Sequence, residues 1–221
     1  MGYTFIRHII SLAESYEKSP EYNRYGPGVA GFKKWIYLTE KSAEEPEPYW
    51  EGKENGRSAE SVINTLLVHL NRYAKTYSKS AIYDSDFSTQ EEFIYLINLM
   101  AFGPMTKMQL IKKNIQDKSA GMQIIRRLLK YGWVEQKKSE DDKRSRVIAL
   151  TSKGKDTLEQ QMDKIRTATN IVTGNLSHPE KMELIRLLDK LDKFHHPIYS
   201  ENLSAQELLN TVEDKYLPGK N

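Results

Sequence analysis

The chain has 221 residues, of which 38% are apolar and 29% charged, and it contains no cysteine. Its length suits one large or two small domains, and the absence of cysteine excludes disulfides, zinc–thiolate sites and thiol redox sensing. No apolar run approaches the roughly 18 residues of a membrane span, and the N-terminal segment, with Glu14 and Glu17, lacks a small-residue cleavage site. We therefore expect a cytoplasmic protein without a membrane partner.

Charge is distributed unevenly along the chain, although the net charge is only +3. Residues 105–154 hold 13 Lys/Arg and 5 Asp/Glu, a balance of +8, whereas the remainder holds 20 and 25, a balance of −5. A basic segment between acidic flanks is the electrostatic pattern expected of nucleic-acid binding. A solvated basic face with no partner is the alternative interpretation.

The first 57 residues predict a helical extension followed by a linker. Apolar residues recur at helical spacing over residues 3–18 and 29–39, and residues 40–57 are acidic with prolines and glycines. The aromatic content of residues 3–38 argues against disorder. We expect this extension to pack on another surface, and a partner subunit is the favoured candidate.

The middle of the chain has the pattern of a helix-turn-helix. Residues 58–82 predict a long helix with one apolar stripe. Ser88-x-x-Glu91 and Thr106-x-x-Gln109 match the capping box that opens a helix. The turn falls at residues 114–116, and Asp117 is expected to cap a longer helix over residues 118–131. Short helices, a tight turn and a longer second helix together indicate a helix-turn-helix.

A β-hairpin pattern follows this helix directly. Gly132 ends the helix, residues 133–138 are extended, residues 139–144 form a polar tip, and residues 146–151 (RVIALT) alternate as a returning strand. This is the outline of a winged helix, in which the helix can enter a DNA major groove and the tip the neighbouring minor groove. Two further helices are predicted over residues 155–172 and 178–195, with Pro197 ending the second.

The stretch from Ile124 to Gly154 resembles the MarR family of bacterial transcription regulators. The resemblance covers roughly residues 60–195 and rests on Leu128, Gly132, Val134, the wing signature Asp142-x-Arg144 and the closing Leu150-Thr151-x-x-Gly154. It implies a mainly α fold with a small β-hairpin wing, in which a winged helix-turn-helix domain adjoins a helical dimerisation region. The expected divisions are residues 1–57 (extension and linker), 58–86 (dimerisation helix), 87–154 (DNA-binding lobe), 155–196 (C-terminal dimerisation helices) and 197–221 (C-terminal extension).

The candidate DNA-binding residues lie on the second helix and on the wing. Polar side chains on the outward helix face can bond base edges or phosphates, and a carboxylate two residues from an arginine can orient it. In the resembled family the residue matching Arg144 inserts into the minor groove and the acid matching Asp142 orients it. The candidates are Lys118, Ser119, Gln123, Arg126, Arg127, Asp142, Lys143, Arg144 and Arg146.

Two features depart from the resembled family's pattern. Gly121 stands where a small apolar residue is usual, and glycine inside a helix costs about 1 kcal/mol relative to alanine. The turn at residues 114–116 also lacks the usual leucine-then-glycine pattern. These departures bear on the register of the base contacts.

The resemblance implies a homodimeric regulator on a pseudo-palindromic operator, released by a small aromatic effector. Tyr73, Tyr77, Phe93 and Met100 are candidate effector-lining residues by position, with ordinary packing as the alternative. No P-loop, GxGxxG or zinc motif is present, and the carboxylate pairs lack a nucleophile or base, so we expect no cofactor, metal or catalytic activity. The alternative function is a winged-helix protein-interaction module without promoter-specific regulation, since a fold alone does not fix function.

Overall fold

The computed structural model describes residues 3–42, 47–139 and 144–217. In chain order the described elements are α1 (Thr4–Glu17), α2 (Glu21–Tyr25), α3 (Val29–Ser42), a short 3-10 helix (Lys53–Asn55), α4 (Ala59–Ala81), α5 (Gln90–Phe102), β1 (Met105–Thr106), α6 (Lys107–Lys113), α7 (Lys118–Tyr131), β2 (Val134–Lys138), β3 (Arg146–Leu150), α8 (Ser152–Thr173), α9 (His178–Ser200) and α10 (Leu208–Tyr216). The mainly α fold with a small hairpin wing is confirmed. The chain divides into two compact units, residues 1–63 and 64–221.

The first unit is organised around the buried ring of Tyr16. Its ring lies 5.8 Å from that of Phe32 and 5.4 Å from that of Trp35, and its hydroxyl donates to the Gly26 carbonyl at 2.5 Å. A Cβ at Gly31 would lie 2.0 Å from that same carbonyl oxygen, so only glycine allows α3 to pass this close. The predicted apolar stripe of α1 otherwise remains exposed, as at Phe5 (73%) and the other residues Ile6, Ile9, Ile10 and Leu12.

The second unit has one continuous hydrophobic core formed by α5 to α8 and the sheet. Its fully buried side chains include Tyr95, Leu96, Leu110, Ile111, Ile125, Leu128, Trp133, Ile148 and Leu158. Burial raises the pKa of Tyr95 to about 12, with smaller contributions from Tyr199 and Glu91. This core therefore joins α5 to α7 and the sheet to α8, most of which lies beyond the predicted lobe of residues 87–154.

The sheet has three strands rather than the two of the predicted hairpin. β2 and β3 are antiparallel, and the two-residue β1 adds to the other edge of β3, with Met105 opposite Ile148. As the central strand, β3 buries Val147, Ile148 and Ala149 in succession. The alternating pattern predicted for this strand is therefore wrong, because both of its faces are covered.

The wing is joined to α7 by a short set of backbone and side-chain contacts. Gly132 ends α7 at φ +69°, and the Trp133 N–H donates to the Leu128 carbonyl at 3.1 Å. The Thr151 hydroxyl donates to the carbonyls of Gly132 (2.8 Å) and Trp133 (3.0 Å) and accepts from the Gly154 N–H at 3.0 Å. A Cβ at Gly154 would lie 2.0 Å from the Trp133 oxygen. These contacts account for the threonine and glycine of the Leu150-Thr151-x-x-Gly154 sequence.

Two helix boundaries differ from their predictions. α5 begins one residue later than expected, with Thr89 as its N-cap, and Glu92 rather than Glu91 accepts the Ser88 N–H at 2.7 Å. α9 continues through Pro197 to Ser200. A proline in the last turn removes one hydrogen bond without preventing one further turn. The Thr106–Gln109 capping box is present as predicted.

A buried ion pair fastens α7 to α5. The Glu92 side chain is fully buried, and its carboxylate accepts from Arg127 Nε at 2.8 Å in addition to the Ser88 N–H. The Arg127 side chain is 39% exposed, so the pair lies at the edge of the core. A buried carboxylate requires such partners, because an unpaired buried charge is costly.

Gly121 lies where α7 packs most closely on its neighbours. A Cβ at this position would approach Ile111 Cγ1 to 2.5 Å and the Tyr95 hydroxyl to 2.9 Å. Both side chains are almost completely buried, so neither can move aside easily. The departure from the resembled family at this residue thus has a packing reason.

We predict that Gly121→Ala lowers the free energy of unfolding by about 1–2 kcal/mol, because overpacking outweighs the roughly 1 kcal/mol gained in helix propensity. Urea unfolding provides the measurement, and Ser119→Ala in the exposed face of the same helix is the neutral control. A Gly121→Ala protein as stable as the wild type would contradict the close contact with Ile111 and Tyr95.

We predict that Arg127→Gln lowers the free energy of unfolding by about 2–3 kcal/mol, because Glu92 stays buried without its charged partner. The adjacent Arg126→Gln is the matched control and should change it by no more than about 0.5 kcal/mol, since Arg126 is exposed. Equal stability of the two variants would show that the ion pair contributes little.

Candidate nucleic-acid interface

One face of α7 presents polar side chains to solvent. Four of the five predicted α7 residues, Lys118, Ser119, Gln123 and Arg126, are exposed and line one shallow concave surface together with Asp117 and Met122. The opposite face buries Ile124, Ile125 and Leu128. Met122 and Leu129 are partly buried and pack against the core. The helix is thus amphipathic, with a donor-rich outer surface.

Arg127 has a different environment from the other four predicted residues. Its Nε is engaged by the buried Glu92, so part of its guanidinium is directed at the protein interior. The spacing Ser88-x-x-Glu91 predicts Glu91 as the capping acid, whereas Glu92 accepts the Ser88 N–H. The structure thus assigns Arg127 a contact within the protein, which the sequence did not predict.

The start of α7 is an electropositive end of a helix. Asp117 occupies the N-cap position as predicted, but within the described part of the chain its carboxylate makes no capping hydrogen bond. The free N–H groups of a helix's first turn and the helix dipole favour an anion at this end. Lys118 and Ser119 add donors there.

The wing carries further positive charge on both of its strands. Arg144 and Arg146 are exposed, and Arg146 lies opposite Lys138 across the two strands. Like charges in directly opposed cross-strand positions repel each other, a cost that an anion between them would offset. Lys138 is not among the candidate DNA-binding residues predicted from the sequence, although two consecutive lysines before the tip indicate a basic strand. Asp142 and Lys143 lie outside the described residues.

An apolar cavity of about 390 Å³ lies between α4, α5 and α8. Its walls include Ala74, Phe93, Ile97, Ile165 and Val172.

The four predicted effector-lining residues are distributed around this region. Phe93 lines the cavity, whereas Tyr77 lines a separate cavity of about 410 Å³ between α4 and α8. Tyr73 and Met100 are 55% and 43% exposed and line neither of these two cavities.

The described residues contain no group of three or more histidine and acidic side chains that could hold a metal ion. Among the same residues, no helix is long and apolar enough to cross a membrane.

Comparison with known proteins identifies the lobe that carries these features. Residues 88–154 match the model of a winged helix DNA-binding domain family. The chain is 32% identical over 77 residues to the HTH-type transcriptional regulator BilQ of Clostridium symbiosum, an alignment that covers 35% of this chain and 54% of that protein. The chain thus spans about half the length of this relative.

Solved structures extend the likeness beyond the lobe. A C80S variant of MarR from E. coli, complexed with operator DNA, is 25% identical with a TM-score of 0.53, covering 58% of this chain and 92% of that one. BpsR of Bordetella bronchiseptica, studied for regulation of its DNA binding by 6-hydroxynicotinic acid, shares the fold with a TM-score of 0.55 at 21% identity, covering 66% and 97%. BilQ is named as a transcription regulator, and the two solved proteins are described by their binding of DNA. Residues 88–154 therefore form a winged helix DNA-binding domain, and together with the helices around it the chain is similar in fold to MarR of E. coli.

Proposed function

We propose that this protein is a sequence-specific DNA-binding transcription regulator. The single observation that carries the proposal is the alignment of Lys118, Ser119, Gln123 and Arg126 along one exposed face of α7 in a winged helix DNA-binding domain. The surrounding segment, residues 105–154, has a charge balance of +8 from 13 basic and 5 acidic residues. Neutralisation of phosphates by such a surface supplies most of the nonspecific affinity for DNA.

The chemistry of the four side chains suits two kinds of DNA contact, to base edges and to phosphates. Gln123 can bond an adenine edge in bidentate fashion, and Arg126 a guanine edge or a phosphate. Lys118 and Ser119, at the helix start, suit phosphate contacts that fix the position of the protein on the duplex. Arg127 would contribute to binding mainly by holding α7 against α5.

The wing would contact the adjacent minor groove. Arg144 at its tip is the candidate for insertion, since a narrow A·T-rich groove has an enhanced negative potential that attracts arginine. Asp142 would orient Arg144, and Lys143 and Arg146 would contact phosphates. The facing Lys138 and Arg146 would gain a shared anionic partner.

We further propose that the protein acts as a homodimer. Exposed large apolar side chains form stripes on two helices of the second unit, including Leu66 (53%) and Leu70 (44%) on α4 and Ile185 (58%) and Leu188 (42%) on α9. Contiguous apolar surface of this kind marks an interaction site. A two-fold dimer would read a pseudo-palindrome whose half-sites lie about 34 Å apart, or a multiple of that distance.

The cavity between α4, α5 and α8 is the proposed effector site. Its apolar walls and its volume of about 390 Å³ suit a small aromatic molecule. α4 carries one of the apolar stripes proposed for dimerisation, and α5 packs on α7. A ligand between α4 and α5 could therefore favour one of two distances between the α7 helices of the two subunits. The BpsR protein, whose DNA binding is studied with 6-hydroxynicotinic acid, suggests that compound as a first probe.

We predict that Arg144→Ala weakens binding to a selected operator about tenfold or more, in the range of a lost specific contact. Fluorescence anisotropy with labelled operator measures the affinity. The melting temperature and the dimer should be nearly unchanged, because the residue lies at an exposed tip. Arg166→Ala on α8 serves as the control for loss of one exposed arginine. Unaltered affinity of Arg144→Ala would contradict the role of the wing.

We predict that Ala74→Phe abolishes the response to small aromatic acids while DNA binding persists, because the larger ring fills the cavity. The probes are 6-hydroxynicotinic acid and salicylate, and the readouts are the shift in melting temperature and the release of operator DNA. Exposed Lys75→Ala on the same helix should respond as the wild type does. A filled-cavity variant that still responds fully would place the effector elsewhere, and a wild type that responds to neither acid would count against this class of effector.

A further inference from the structure

The turn that precedes α7, the helix proposed to contact DNA bases, is held in an unfavourable backbone conformation. Ile115 has φ +50°, in the left-handed region that glycine adopts freely and a β-branched residue rarely does. Its side chain is 49% exposed, so burial of the isoleucine does not compensate. This is the turn that lacks the glycine usual in the resembled family. Such a conformation persists only where neighbouring contacts impose it.

Local contacts secure the first half of this turn. The Asn114 side chain donates to the Leu110 carbonyl at 2.7 Å and accepts from the Asn98 side chain at 2.8 Å. The Gln116 N–H donates to the Ile111 carbonyl at 3.3 Å. These contacts fix the end of α6 but leave the carbonyl of Gln116, directly before the N-cap of α7, to be held from elsewhere.

The Gln116 carbonyl is held by a residue 83 positions away. The Tyr199 hydroxyl, on the last turn of α9, donates to it at 2.8 Å. Burial, followed by the nearby Asp117 carboxylate, raises the pKa of Tyr199 further above neutral pH, where a tyrosine hydroxyl is protonated in any case and can donate. This contact exists because α9 continues through Pro197.

The end of α9 is itself anchored. Ile198, next to Tyr199, is only 7% exposed. One turn further on, Glu201 pairs with Lys215 and also accepts a hydrogen bond from the Tyr216 hydroxyl, so α10 is fastened to the end of α9. The Phe194 and Tyr216 rings add a contact at 6.3 Å. Tyr199 therefore projects from a supported position rather than from a fraying helix end.

We propose that Tyr199 is a positioning residue for DNA recognition, which holds the strained turn at Ile115 and thereby sets the first turn of α7. This inference rests on the proposed function, because Lys118 and Ser119 in that first turn are the proposed phosphate contacts. Tyr199 itself would not touch DNA. Its hydrogen bond offsets the cost of the left-handed conformation at Ile115, a cost that a glycine at this position would not have.

The test is Tyr199→Phe in the full-length protein, which removes only the hydroxyl. We expect operator affinity to fall about fivefold, the effect of one net hydrogen bond. Because the bound protein still makes the same phosphate contacts, and only the free energy needed to set the turn differs, the slope of log affinity against log salt should be unchanged, whereas Lys118→Ala should reduce its magnitude by roughly one. Tyr83→Phe, which removes the hydroxyl of a tyrosine that is 82% exposed, is the matched control and should leave affinity unchanged.

A rescue variant separates positioning from general stabilisation. In the Tyr199→Phe background, Ile115→Asn should restore most of the lost affinity, because asparagine tolerates the left-handed conformation better than isoleucine. Amide hydrogen exchange at Gln116 and Gly121 should be about fivefold faster in Tyr199→Phe and slower again in the double variant.

Three results would overturn the inference: wild-type affinity and exchange in Tyr199→Phe, a reduced salt slope in that variant, or no rescue by Ile115→Asn. The exchange measurement needs no DNA. If the wild-type protein selected no DNA at all, the proposed function would fail, while the exchange rates would still decide whether Tyr199 holds the turn.

Discussion

The buried Trp133 joins α7 to the β2–β3 wing. The relative position of the helix and the wing in the DNA-binding lobe depends on this junction. Its ring packs 4.9 Å from Phe87 and 4.7 Å from Tyr131, and its carbonyl accepts both the N–H and the hydroxyl of Thr151. α7 ends and β2 begins next to Trp133 in the chain, and α8 begins directly after Thr151, which is hydrogen-bonded to the Trp133 carbonyl. A protein that inserts a helix and a hairpin into neighbouring grooves needs such a fixed separation between them.

The two ends of α7 are supported in different ways. The C-terminal end is fixed by backbone hydrogen bonds at Gly132 and by the Glu92–Arg127 ion pair. The N-terminal end, where the proposed phosphate contacts lie, follows a strained turn held in part by a hydrogen bond from α9. Adjustment of the reading helix should therefore occur at its start, and α9 also carries one of the apolar stripes proposed for dimerisation. α9 would therefore contribute both to subunit association and to the position of the helix that contacts DNA.

The sequence was sufficient for the parts of the fold that local chemistry determines. The helix-turn-helix, the Gly132 stop and the wing strands follow from caps, glycines and β-formers, which act within a few residues. β1 escaped prediction because a two-residue strand has no periodicity and forms only by pairing with β3. Likewise, the pairing of Arg127 with Glu92 and of Tyr199 with Gln116 spans 35 and 83 positions, so only the tertiary fold reveals it. The sequence shows Gly121 as a departure from the resembled family, but only the tertiary fold shows that Ile111 and Tyr95 leave no room for a Cβ there.

Selection of genomic fragments by the purified protein at two salt concentrations would show whether the protein recognises a DNA sequence as a dimer. We expect recovery of a pseudo-palindrome whose affinity falls about 10³- to 10⁵-fold between 50 and 200 mM salt, if some 6–10 phosphates are contacted. Such a result would establish a dimeric reader that combines base recognition with a basic surface. Recovery of no fragment above background at either salt concentration would contradict DNA recognition by this protein, and the exposed apolar surfaces would then point to a protein partner.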